Sequence, residues 1–228
     1  MTKTSQYKQH MTREDLGKII EIILKRKGRS CWGYCKLRDA TIMLLMFYNG
    51  LRPREACRAK LDHLDIKKAL LYIPGKDNKQ RQSDSVYLAD FVWELLYKYL
   101  EIRNIHPQAS KSEWLFPNIM GGPIDRSTVM TVFKKAIKEA GLYKLSYIDK
   151  QGKPRGNLTL YSLRHSFATN AYLKLHDLRK VATLLRHKDF QCRSTLRYIH
   201  SAEGISYKEL IEEVYKPEIP EINDKTKR

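Results

Sequence analysis

Leu184-Leu-Arg-His-Lys-Asp-Phe-Gln-Cys-Arg-Ser-Thr-Leu-Arg-Tyr-Ile-His200 is the stretch on which the reading of this chain turns. It follows Tyr161-Ser-Leu-Arg-His-Ser-Phe-Ala-Thr169, and Gly50-Leu-Arg-Pro-Arg-Glu55 lies far upstream. Together the three segments bring a tyrosine, Tyr198, two arginines, Arg52 and Arg164, and a histidine, His187. A phosphodiester becomes a dianion in its pentavalent transition state. Breaking it without a metal calls for a nucleophile that can be held covalently and for several fixed cations. This set of residues offers both.

The charge balance agrees. Across 228 residues there are 43 Lys and Arg against 25 Asp and Glu, a formal net charge of +18. Such a field favours a polyanionic partner, because each phosphate contact releases condensed counterions. The four cysteines, at 31, 35, 57 and 192, make no regular framework. Cys31-Trp-Gly-Tyr-Cys35 lacks a second pair at zinc-finger spacing, so neither a metal nor another cofactor is expected. No apolar run approaches the roughly 20 residues that a membrane span needs, and the polar start Met-Thr-Lys-Thr-Ser-Gln does not read as a secretory signal. The reading is a cytoplasmic, nucleoid-associated protein with reduced thiols and no membrane partner.

Helical signals dominate. Thr12 can cap a helix with Leu16, Ile19, Ile20, Ile23 and Leu24 on one face. Ala40 to Tyr48 is apolar on every side, as a central core helix would be, and Gly50 suits a left-handed stop. Residues 53–60 read as a short helix with Arg52 at its start. The period then changes, and Leu64 to Ile66, Leu70 to Ile73 and Ser85 to Leu88 read as three short strands, the last two joined by a long hairpin loop. Asp90 and Asp125 are candidate helix caps, with Phe91, Val92, Leu95, Leu96 and Tyr99 turned inward after the first and Gly141 closing the second helix. Residues 143–158 read as an exposed loop or a hairpin, and helix resumes from Thr159. The expected fold is mainly α with a small three-stranded antiparallel sheet.

In order and spacing these segments resemble the tyrosine recombinase family of phage integrases and Xer proteins. Gly50-Leu-Arg52-Pro-Arg-Glu55 is similar to the family's first arginine box, Gly-Leu-Arg-x-x-Glu. The resemblance implies that Arg52 grips the scissile phosphate while Glu55 braces the local structure. Gly75-Lys76-Asp-Asn-Lys79-Gln-Arg81 falls where the family carries its hairpin lysine. Lys76 is then the acid that protonates the departing 5′ oxygen, with Lys60 or Lys67 as weaker choices, and Lys79 and Arg81 contact DNA phosphates. Tyr161-Ser-Leu-Arg164-His165 resembles the central His-x-Leu-Arg-His box. Arg164 is the second clamp, and Tyr161 stands where His or Lys is usual, able to donate a hydrogen bond but bringing no charge. Leu184-Leu-Arg186-His187 resembles Leu-Gly-His, so His187 takes the late histidine role, while Arg186, in place of the usual glycine, and Lys188 read as further cations on DNA. The resemblance makes Tyr198 the expected nucleophile. It follows His187 by eleven residues where about nine is usual, which implies a small insertion around 190–193.

The resemblance implies a catalytic domain over 11–204 after a short extension, 1–10, which leaves no room for the family's N-terminal DNA clamp. A helix over 205–216 follows, then a charged tail, 217–228. Ser206-Tyr-Lys-Glu209 is a capping box, and Tyr207, Leu210, Ile211, Val214 and Tyr215 recur at helix spacing opposite Glu212 and Glu213. That helix either folds back on its own domain or docks on an adjacent protomer. The implied activity is site-specific cleavage and rejoining of double-stranded DNA by a homo-oligomer, a tetramer on two DNA sites. The alternatives are relaxation by a type IB topoisomerase-like enzyme, or an inactive DNA-binding relative, for which Tyr161 is the best argument.

Overall fold

The computed structural model describes residues 10–26, 32–75, 83–149 and 151–187. Helix α1, Arg13–Lys25, begins at Thr12, whose hydroxyl accepts from the Asp15 N–H while Asp15 accepts from the Thr12 N–H, each at 3.0 Å. Leu16, Ile19 and Ile23 are buried. Leu24 is 38% exposed, so the buried stripe is narrower than the apolar one.

Helix α2, Trp32–Tyr48, packs against α1 and three later helices and forms the centre of the core. It starts a full two turns before the expected Ala40. Arg38 and Asp39 look like surface residues, yet both are buried: Arg38 pairs with Asp39 at 2.9 Å and donates to the Pro117 carbonyl at 3.0 Å. Around Pro117 the chain is irregular, and buried side chains satisfy its carbonyls. Tyr99 donates to Leu115 at 2.8 Å, and Arg103 to Ser112 and Trp114 at 2.7 and 2.9 Å.

Helix α3, Pro53–Cys57, is shorter than the expected 53–60 because the chain leaves it to pair with a distant segment. Lys60 bridges Trp114, with Leu61 N–H donating to Glu113 and Leu115 N–H to Ala59. Strands β1 (Leu64–Asp65), β2 (Leu70–Ile73) and β3 (Asp84–Tyr87) form the three-stranded antiparallel sheet in that order. Period two holds, with Leu71, Ile73 and Val86 buried and Tyr72 and Tyr87 exposed. Helix α4, Asp90–Ile105, is capped by Ala89 rather than Asp90. Asp90 is its first helical residue, where a carboxylate favours the positive helix end.

Helix α5, Arg126–Glu139, starts at Asp125, whose carboxylate accepts from Ser127 N–H at 2.6 Å, and Gly141 follows its end at φ +70°. Strands β4 (Leu145–Ile148) and β5 (Pro154–Gly156) make a second, two-stranded sheet, which settles 143–158 as a hairpin. Helix α6, Leu160–Leu175, packs on α2, and α7, Leu178–Leu184, packs on α6. The segment entering α1 also rests on α6: Met11 N–H donates to Ser166 Oγ and His10 Nε2 bonds Asn170 Oδ1, both at 2.8 Å. Among the described residues no helix is long and apolar enough to cross a membrane.

Gly50 fixes how closely α6 approaches the end of α2. Its φ is +62°, and a Cβ there would sit 2.5 Å from Cδ1 of Phe167 on α6. A left-handed non-glycine residue costs roughly 1–2 kcal/mol, and overpacking a filled site costs about 1–3 kcal/mol more. Gly50→Ala therefore lowers the melting temperature by on the order of 10 °C, measured by circular dichroism. A shift within about 2 °C would show that Phe167 moves aside freely.

Candidate active site

Arg52 lies at the junction of α2 and α3. Its backbone is extended, and Pro53 starts the helix with the fixed φ that a first turn needs. Glu55, one turn into α3, reaches back. It accepts from the Arg52 N–H at 2.7 Å and from the Arg52 guanidinium at 2.6 Å. The helix start thus orients the arginine side chain. Glu55 is fully buried, whereas Arg52 keeps 15% of its side chain exposed.

Arg164 comes from the first half of α6 and is buried. Nη1 donates to the carbonyl of Gly50, and Nη2 donates to that of Leu185. Nη1 lies 3.8 Å from Glu55 and Nη2 lies 3.3 Å from Nε2 of His187. A flat fork with donors on both edges bridges these groups in a way a lysine cannot. Segments more than a hundred residues apart meet on this one side chain.

The third element is the turn that ends α7. Arg186 N–H donates to Thr183 and His187 N–H donates to Ala182, at 2.8 and 2.9 Å, the two bonds of a Schellman C-cap. In that motif the residue after the cap is left-handed, which is why glycine is favoured there. Arg186 adopts φ +56° regardless, at a cost of roughly 1–2 kcal/mol. Its guanidinium turns inward, 2.7 Å from Glu55 and 3.4 Å from the Gly50 carbonyl, with 6% of the side chain exposed.

One carboxylate is therefore surrounded by Arg52, Arg164 and Arg186. Burial alone would raise the Glu55 pKa, but the guanidiniums, Arg186 first and then Arg52, hold it below its usual range. Glu55 is an anion here, and the cluster keeps a surplus of positive charge. Such a site is built to receive a further anion.

Of the residues singled out in the sequence, Arg52, Arg164, Arg186 and His187 converge. Tyr161 lies one turn before Arg164 on α6 and is 39% exposed. His165 is half-buried in the same helix. Lys60, the weaker choice for an acid, pairs with Glu113 at 2.6 Å and lies 5.1 Å over the Trp114 ring. Arg186, read as a DNA contact, faces the protein interior instead, because a buried carboxylate draws it in. Lys76, Lys79, Arg81, Lys188 and Tyr198 lie outside the described residues, as do the helix over 205–216 and the tail. Sequence reasoning missed the Gly50 carbonyl, the shared acceptor of two arginines. Its only trace is the glycine itself.

The model of the phage integrase family matches residues 9–204. The tyrosine recombinase XerD of Staphylococcus saprophyticus is 32% identical over 170 residues, 73% of this chain and 51% of that protein. XerD of Staphylococcus aureus gives the same identity and coverage. The chain thus spans about half the length of the curated relatives it matches. Among solved structures, the XerH site-specific recombinase in a post-cleavage complex with palindromic difH substrate shares 26% identity, with a TM-score of 0.67 over 91% of this chain and 53% of that one. The Tn1549 transposon integrase in complex with transposon right-end DNA reaches a TM-score of 0.69 over 95% and 68% at 14% identity, a likeness of fold.

Proposed function

The chain belongs to the phage integrase family, and from that premise we propose that it cleaves and rejoins DNA strands at specific sites through a 3′-phosphotyrosyl intermediate. Tyr198 Oη attacks the scissile phosphorus as its phenolic proton passes to solvent, and the bond to the 5′ oxygen breaks. Lys76 gives that oxygen its proton. The phosphate stays on the enzyme as an ester, so its bond energy is kept and rejoining needs no nucleotide. A free 5′ hydroxyl attacks the phosphotyrosine in the reverse step.

Arg52, Arg164 and His187 stabilise the phosphorane, and Tyr161 offers a further hydrogen bond. Glu55 orients Arg52. Lys79, Arg81 and Lys188 hold the flanking backbone, a contribution without sequence information. The acidic amphipathic helix over 205–216 suits a basic groove on a neighbouring protomer, and the working assembly is a tetramer on two DNA sites. The protein acts in the cytoplasm, at the nucleoid.

The observation that carries this reading is that Arg52 and Arg164 meet at buried Glu55 and that His187 lies 3.3 Å from Arg164, from segments far apart in the chain. The named relatives are recombinases, which favours this reading over a topoisomerase. The test uses a labelled pool of duplexes, each randomised around a single nick placed so that the cleaved end diffuses away. The protein is incubated with the pool, denatured and run on a gel. Labelled DNA that travels with the protein supports cleavage, and sequencing it yields the site. Binding without any denaturant-resistant adduct leaves a DNA-binding relative and overturns the enzyme reading.

A further inference from the structure

We propose that Arg186 is a positioning residue: it ties the turn that carries His187 to the Gly50–Glu55 segment and takes up part of the Glu55 charge, so that Arg52 and Arg164 stay available to the phosphate. The inference rests on the strand-cleavage reading above. It concerns a residue that departs from the family pattern, an arginine where glycine is usual.

Arg186 works against its own backbone. It is a long, charged, non-glycine residue at φ +56°, its side chain is 6% exposed, and its Nε–H has no hydrogen-bond partner among the described residues. A residue that breaks local rules this way is held by its tertiary partners, and such departures concentrate at functional sites. The partner is Glu55. Its Oε2 takes Arg186 and the Arg52 N–H, each at 2.7 Å, and its Oε1 takes the Arg52 guanidinium at 2.6 Å. With glycine at 186, this fully buried carboxylate would draw on Arg52 and Arg164 alone. A guanidinium committed to a carboxylate has fewer donors for a phosphate.

Arg186 also sets geometry. It and Arg164 donate to the same Gly50 carbonyl, and Arg164 donates as well to Leu185, the residue before it. The turn holding His187 is thereby pinned to the segment holding Arg52 from both sides.

The test compares Arg186→Gly with wild type on one nicked duplex selected from the pool. Glycine removes the guanidinium and restores the residue the backbone prefers. Single-turnover adduct formation should fall by up to about 100-fold, the scale set by small misplacements of catalytic groups. DNA affinity and its dependence on salt should not change, since the side chain faces inward. Arg186→Lys, which keeps the charge without the fork, should recover part of the rate.

A rate within about threefold of wild type overturns the proposal. So does a salt slope reduced by about one, the mark of a lost phosphate contact. If Arg186→Gly melts below the assay temperature, Arg186→Lys decides. A slowed rate at an unchanged salt slope supports the proposal, and a wild-type rate overturns it. A wild-type chain that forms no adduct overturns the strand-cleavage reading and this inference with it. A wild-type adduct matched by Arg186→Gly overturns the inference alone.

Discussion

Tyr198→Phe is expected to form no covalent adduct with a nicked duplex while binding the same DNA with nearly wild-type affinity. Only one oxygen is lost, and with it the group that can hold the phosphate; no other step compensates for an absent nucleophile. Binding persists because it draws on the whole field of a chain with net charge +18. Gel shift and a denaturing gel on the same samples separate the two quantities. The chain has 14 tyrosines, so the identity of the nucleophile needs its own check. Tyr34 and Tyr99 are buried, and burial pushes both phenols up, which suits neither to attack. The rivals are Tyr207 and Tyr215. Peptide mapping that places DNA on either of them would defeat the assignment.

Arg52→Ala and Arg164→Ala should slow single-turnover cleavage by roughly two to three orders of magnitude, since losing one preorganised transition-state donor typically costs about 3–4 kcal/mol. The lysine variants separate the two positions. Arg164 spans carbonyls on both sides of the site from a buried position. A lysine there satisfies at most part of that set and leaves a buried acceptor unmet, so Arg164→Lys loses melting temperature as well as rate. Arg52 is the more exposed, and its backbone anchors Glu55 whatever its side chain. Arg52→Lys therefore loses rate with little loss of stability. Paired melts and cleavage rates test this contrast. Near-wild-type cleavage in either lysine variant would count against a clamping role for that arginine.

How much of this was legible in the sequence depends on the range over which each feature is decided. The start of α1 needs only Thr12 and Asp15, and the left-handed stop at Gly50 needs only a glycine after an apolar run. Both could be read directly. The first half of α2 could not, because Arg38 and Asp39 are buried by one another and by a carbonyl at Pro117. The end of α3 is not legible for a similar reason, since Lys60 finds its partner at Trp114. In the site, the resemblance to the family's boxes singled out Arg52, Arg164 and His187, and the fold brings them together. It could not tell that Arg186 turns inward, because the direction of a cation depends on where the nearest buried anion lies. An arginine at a position that favours glycine was the one hint.

The docking of His10 and Met11 on α6 has a mechanical consequence. Met11 is gripped at Ser166, two positions along the helix from Arg164, and His10 is held at Asn170 one turn further on. The polypeptide entering α1 is thus moored to the helix that carries Arg164. A pull or twist applied through residue 10 is delivered to α6 before it reaches α1, with a lever arm about a turn of helix long. The placement of this tether and that of Arg164 are linked through one helix, and the hydrogen bonds at Ser166 and Asn170 are the joints where the link can be cut.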